Sequence, residues 1–178
     1  MTNSFDGILA AIGVNVGGYS ESVDPMVLAL SIIGGGAAMG VFSGIVGVYL
    51  SERAERLREL KKMEHNLQAS LKGSIYWNAA RMTPLYIALW SGLGIILFPT
   101  LIALPYLATA MCGCIATALA FKASLAIALI VLGLLGAYLA KISGESIWNS
   151  VIRAISVGIG GIILVLVLKK LLGYLIIA

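Results

Sequence analysis

Twenty-five consecutive residues, Met26 to Leu50, carry no charge, and this run constrains the chain more than any motif in it. A helix of that length rises about 38 Å, enough to cross the roughly 30 Å hydrocarbon core of a bilayer. Similar runs recur: Leu107 to Ala140 is interrupted only by Lys122, and Trp148 to Leu168 only by Arg153. Sixty per cent of the 178 residues are apolar and 11% are charged, against about 25% charged in an ordinary soluble domain. With a mean hydropathy of +1.02, the chain lacks the polar residues to build a water-facing surface. It reads as a single all-α domain, a polytopic membrane protein that takes the lipid bilayer as its solvent.

The lengths predict a five-transmembrane-helix bundle, with spans over residues 3–19, 26–50, 84–104, 121–140 and 148–168. The first apolar run, Gly7 to Tyr19, has thirteen residues and covers only about 20 Å. To cross, its helix must begin near Thr2 or Asn3, which puts Asp6 about one turn inside it. Ser20 to Pro25 is acidic and turn-forming and breaks the chain. Span two is expected to continue into a cytoplasmic amphipathic helix over residues 51–76, where Leu57, Leu60, Leu67, Leu71 and Ile75 recur at helical spacing without a proline. The stretch 107–140 is too long for one upright helix, so residues 107–120 extend a helix or lie at the interface. A six-span count that splits this stretch is the alternative.

Charge sets the expected orientation. The net charge is +4, and Arg53, Arg56, Arg58, Lys61, Lys62, Lys72 and Arg81 gather between spans two and three, with Lys141 between spans four and five. Basic loops face the cytoplasm, which gives a cytoplasmic amino terminus and an external carboxy terminus. The same clustering argues against nucleic-acid binding. No targeting segment is evident, and a prokaryotic plasma membrane is the simplest location. Cys112 and Cys114 are too close for an easy disulfide and read as small apolar residues near a helix end. Gly36, Gly40, Gly44 and Gly47 in span two, and Gly13 and Gly17 in span one, have the spacing that lets membrane helices approach closely. They predict tight packing of spans one and two.

Four places could carry chemistry. Asp6 is an ionisable group on a membrane helix, costly there and a candidate by default. It either exchanges a proton for a cation, as a proton-coupled metal carrier requires, or sits at headgroup level favoured by the helix dipole. Glu52, Glu55, Glu59 and Met63 fall within about 80° of helical arc. Carboxylate oxygens suit Mn²⁺ and Fe²⁺, and a thioether adds softer character. The same stripe also reads as a solvated face of local ion pairs such as Glu52–Arg56. Met39, in mid-span, is either packing or a soft ligand. Asn15 and Ser43 are polar at membrane depth and can bond between helices. With one histidine and no nucleophile–base set, the chain does not read as an enzyme, and nothing in it calls for a prosthetic group.

Ser4-Phe5-Asp6-Gly7-Ile8 before a glycine-rich first span resembles the opening of the vacuolar iron transporter family. The likeness continues through Gly47-Val48-Tyr49-Leu50-Ser51, the glutamate-bearing helix, Pro84, Leu104-Pro105-Tyr106, Leu132-Gly133 and the glycine-bearing last span. The resemblance implies a five-span homodimer that moves Fe²⁺ or Mn²⁺ out of the cytosol in exchange for protons. It implies that Asp6 lies on the path at the dimer interface, and that Glu52, Glu55 and Glu59 begin a metal-collecting helix. The chain departs from the pattern where Gly44 and Val48 stand in place of the family's methionine and glutamate. Its cytoplasmic segment is also short. Gly44 and Val48 favour the alternative, a non-transporting membrane assembly or partner-binding protein that retains the fold; a channel for small solutes is a third possibility.

Overall fold

The computed structural model describes residues 2–20, 22–113 and 116–177, with side chains from Ser4 to Leu172 within them; Cys114 lies outside the described residues. The chain is helical throughout: α1 (Thr2–Gly18), α2 (Pro25–Met39), a π-helical segment (Gly40–Gly47), α3 (Val48–Leu67), α4 (Ile75–Cys112), α5 (Thr117–Ser143) and α6 (Ile147–Ile177). The α2, π and α3 pieces form one continuous helix, Pro25–Leu67. This helix, α4, α5 and α6 are four helices long and apolar enough to cross a membrane, while α1 is a shorter apolar helix. The architecture is consistent with an integral membrane protein.

Local chemistry explains the boundaries. Asp24 caps α2 by accepting from the Met26 amide at 2.9 Å, with Pro25 in the first turn, where its missing N–H costs nothing. The amphipathic helix after span two ends at Leu67, earlier than the leucine spacing predicts. Gln68 adopts a left-handed conformation (φ 49°), and the Glu64 carboxylate accepts from the Leu71 amide at 2.9 Å, closing the turn. Ser74 then caps α4 by accepting from the Trp77 amide at 3.3 Å. Leu71 and Ile75 therefore belong to a turn and to the next helix, not to α3. Helix α4 does not stop near Leu104. It passes Pro99 and Pro105 and ends at Gly113, whose φ of 62° suits a left-handed cap.

Helix α4 is the hub and packs against α1, α2, the π segment, α3 and α5; α6 rests on α5 and α1. The core between them holds Ile8, Ile12, Ile32, Ile102, Leu132 and Tyr106, all essentially inaccessible. The glycine steps of span two meet α4 rather than span one. A Cβ on Gly44 would stand 2.9 Å from the Gly92 Cα, and one on Gly36 would run into Pro99. Only backbone-to-backbone approach fits there, which in lipid supplies the dispersion that hydrophobic burial cannot. Contact with α1 falls instead to the next residue round, Gly35, beside Val14.

Candidate functional site

Helices α1 and α4 run parallel, with Gly7 against Ile95 and Asn15 against Tyr106. This pairing locates Asp6 along the bundle. From Arg81, the last charge on α4, to Gly94, which a Cβ would bring within 2.8 Å of the Ser4 hydroxyl, is thirteen residues or about 20 Å. In the other direction, Tyr19 accepts from the Lys169 ammonium at 2.7 Å. Asp6 is again thirteen residues, about 20 Å, away. Asp6 thus lies between these two charged positions, in the first turns of α1. Gly7 and Ile8 turn into the bundle, whereas Asp6 is exposed on its outer side and makes no ion pair among the described residues. Ala10, Gly13 and Gly17 share its face within about 60° of arc, and nothing stands within 4 Å of a Cβ on Gly13.

The glutamate stripe of α3 is arranged around Arg56. Its guanidinium lies 3.2 Å from Glu59 and 3.9 Å from Glu52, so one cation bridges two carboxylates a helical turn to either side. Glu55 is exposed apart from this group. Met63 borders a small pocket of about 120 Å³ with Arg56, Glu59, Leu60 and Tyr76. Met39, half-buried at the end of α2, borders neither this pocket nor the larger cavity. The six residues singled out in the sequence therefore fall in separate places: Asp6 on the outer face of α1, Met39 in mid-span and the others along α3. Among the described residues, no three His, Cys, Asp or Glu side chains converge to hold a metal ion.

A cavity of about 950 Å³ opens between the π segment, α3, α4 and α5, with Ser4 of α1 at its deep end. Ser43, Ser51 and Ser91 add hydroxyls, Tyr86, Trp90, Phe98 and Tyr138 add rings, and among the described residues Glu52 is the one ionised side chain on its wall. Ser4 and Asp6 are about 200° apart around α1, so the cavity and the Asp6 face lie on opposite sides of that helix. The π segment brings Ser43 to the cavity wall, while its Gly40 and Gly44 pack against α4. π-helical turns of this kind are frequent at functional sites.

Beyond the cavity the bundle is closed by a polar network. The Asn15 amide donates to the Ser124 hydroxyl at 2.8 Å, Tyr106 donates to the Asn15 carbonyl oxygen at 2.6 Å, and Ser124 donates to the Ile102 carbonyl at 2.7 Å. All three side chains are inaccessible. Asn15 was legible as an interhelical polar group. Ser124 was not, since its only sequence signal is its place two residues after Lys122 in an apolar run. The Tyr19 and Phe121 rings stack at 4.1 Å just beyond.

Comparison with known proteins adds a relative. The chain is 31% identical over 168 residues to the uncharacterized protein MJ0645 of Methanocaldococcus jannaschii, covering 93% of this chain and 84% of the archaeal one. The chain belongs to that protein's family. No family model matches it, and no solved structure does. The relative's name states no activity, so function must be argued from the residues themselves.

Proposed function

We propose that this protein is a proton-coupled carrier of divalent cations, Fe²⁺ or Mn²⁺, that works as a homodimer and moves its substrate out of the cytosol. The observation that carries the reading is the position of Asp6, a carboxylate in the first turns of an apolar helix that faces outward from its own bundle. A charge facing lipid within a membrane span is costly, and such groups are almost always found against a protein partner or a polar path. The face around it is built for a partner. Ala10, Gly13 and Gly17 on α1, and Ser31, Gly34 and Ala38 on the adjoining α2, leave a smooth strip of small residues along which a second copy can pack closely.

Two copies joined along α1 would set two Asp6 carboxylates against one another, enough to hold a divalent ion and to take up protons when it leaves. In this reading α1 is the fifth span, α3 projects into the cytosol on the side of the basic residues, and the Glu52–Arg56–Glu59 group is the first charge an approaching ion meets. The resemblance to vacuolar iron transporters supports the same assignment. The test is ion flux into proteoliposomes under an imposed pH gradient. Gradient-driven entry of Fe²⁺ or Mn²⁺, lost in Asp6→Asn, is expected; flux that survives this substitution overturns the role of Asp6.

A second reading is a non-transporting membrane assembly protein. It is favoured by Gly44 and Val48, which offer no donor in span two, and by the lack of a three-ligand cluster among the described residues. The same preparation separates the two: a folded dimer that passes no ion at all supports this second reading.

A further inference from the structure

The cavity beside Glu52 is larger than a hydrated metal ion needs. An ion with six waters fills about 200 Å³ at ~30 Å³ per water, while the cavity holds about 950 Å³. Its walls are largely carbon, and the edge-on pair Tyr86 and Trp90, with ring centroids 6.2 Å apart, stands with Phe98 and Tyr138 along them. Its charge is equally specific. Arg56 is closer to Glu59 (3.2 Å) than to Glu52 (3.9 Å), so two carboxylates share one guanidinium and the group keeps a net negative charge. That charge is presented at the wall by Glu52. An anion is repelled there, whereas a cation gains from the carboxylate and from the ring faces together. Apolar and aromatic walls with a few fixed polar groups are the usual lining of sites for organic molecules, and the volume lies at the upper end of their range.

We propose that this cavity binds an amphipathic organic cation, with the charged centre beside Glu52, the apolar groups against Trp90, Tyr86 and Phe98, and the buried Ser4 hydroxyl at the deep end. The proposal shares Glu52 with the entrance of the carrier reading but does not involve Asp6, which lies on the opposite side of α1.

The test is equilibrium dialysis of tetraphenylphosphonium against the full chain in detergent micelles, with empty micelles as the blank. Saturable binding is expected, weakened about tenfold in Glu52→Gln and several-fold in Trp90→Leu. Glu145→Gln removes an exposed carboxylate elsewhere and should bind as the native chain does. Glu52 lies on a helix surface, so Glu52→Gln should keep the native unfolding midpoint, which separates loss of binding from loss of fold. The proposal is overturned if binding does not saturate, if Glu52→Gln binds equally well, or if the uncharged triphenylphosphine oxide binds as tightly as the cation. Failure of the carrier reading would appear as ion flux unchanged by Asp6→Asn, a result that leaves this measurement untouched.

Discussion

The side-chain amide of Asn15 donates to the Ser124 hydroxyl at 2.8 Å across 109 positions of sequence, joining α1 to α5 where both are inaccessible. Tyr106 of α4 completes the junction by donating to the other end of the same amide. Three helices thus share one hydrogen-bonded node, sealed from bulk solvent. Tyr106→Phe should leave the Asn15 carbonyl oxygen without its donor and lower stability by about 1 kcal/mol, and Asn15→Ala by about 2 kcal/mol. Because they remove a shared bond, the double variant should cost less than the sum. Unfolding in mixed micelles, read by circular dichroism, gives all three values; strict additivity would mean that the two residues do not act through one node.

How much of this was legible in the sequence depends on whether a feature is local. The apolar runs announce membrane-length helices because length and charge are properties of a segment. Asp6 stands out by the same local logic. The partner of a glycine step is not local: Gly36, Gly40 and Gly44 promise a close approach, but only the assembled bundle reveals that α4, through Gly92, Ile96 and Pro99, receives it. The end of α3 was hidden by a competing signal, since Leu71 and Ile75 keep helical spacing while Ser74 acts as a cap. The π segment has no distinctive composition, and the cavity arises from five elements converging, so neither could be read from one stretch of chain. Glu52, Glu55, Glu59 and Met63 all lie on helix α3, yet Arg56, one position past Glu55, decides how these charges pair.

Substitutions at the glycines of the continuous helix should separate close approach from mere helix propensity. A Cβ at Gly44 would meet the Gly92 Cα at 2.9 Å and Ile95 Cδ1 at 2.6 Å. Backbone cannot yield as a flexible side chain can, so Gly44→Ala should destabilise by about 1–3 kcal/mol, the usual range for overpacking. At Gly47 the nearest atom is a carbonyl oxygen at an ordinary 3.5 Å. Gly47→Ala should be neutral or stabilise by up to about 1 kcal/mol through helix propensity. The difference between the two unfolding midpoints is the measurement, and a reversed order would contradict the packing described.

The proposed dimer makes a separate demand on α1. Nothing stands within 4 Å of a Cβ on Gly13, which lies on the Asp6 face, so a larger side chain there can leave the helix without a close contact at its Cβ. Gly13→Leu should therefore leave the stability of the single chain unchanged or raise it by up to about 1 kcal/mol through helix propensity. It should nevertheless shift the protein from dimer to monomer in sedimentation equilibrium, because a bulky residue holds two close-packed backbones apart. A dimer that persists unchanged in Gly13→Leu would place the contact between copies elsewhere.

Arg56 offers the last test, because its removal should weaken one property and strengthen another. It is only partly shielded from solvent, and a salt bridge in such a position contributes about 1 kcal/mol or less, so Arg56→Gln should unfold almost as the native chain does. The electrostatic consequence is larger. Glu52 and Glu59 flank the lost guanidinium on one helical face, and without it their charges repel each other and attract any mobile cation. Mn²⁺ should then bind α3 several-fold more tightly, an effect that salt weakens. Electron paramagnetic resonance of free Mn²⁺ measures this directly, and adding Glu59→Gln to the Arg56 variant should return affinity towards the native value. If Mn²⁺ affinity does not change in Arg56→Gln, the carboxylates are not restrained by the arginine, and the charge reasoning for this arm fails.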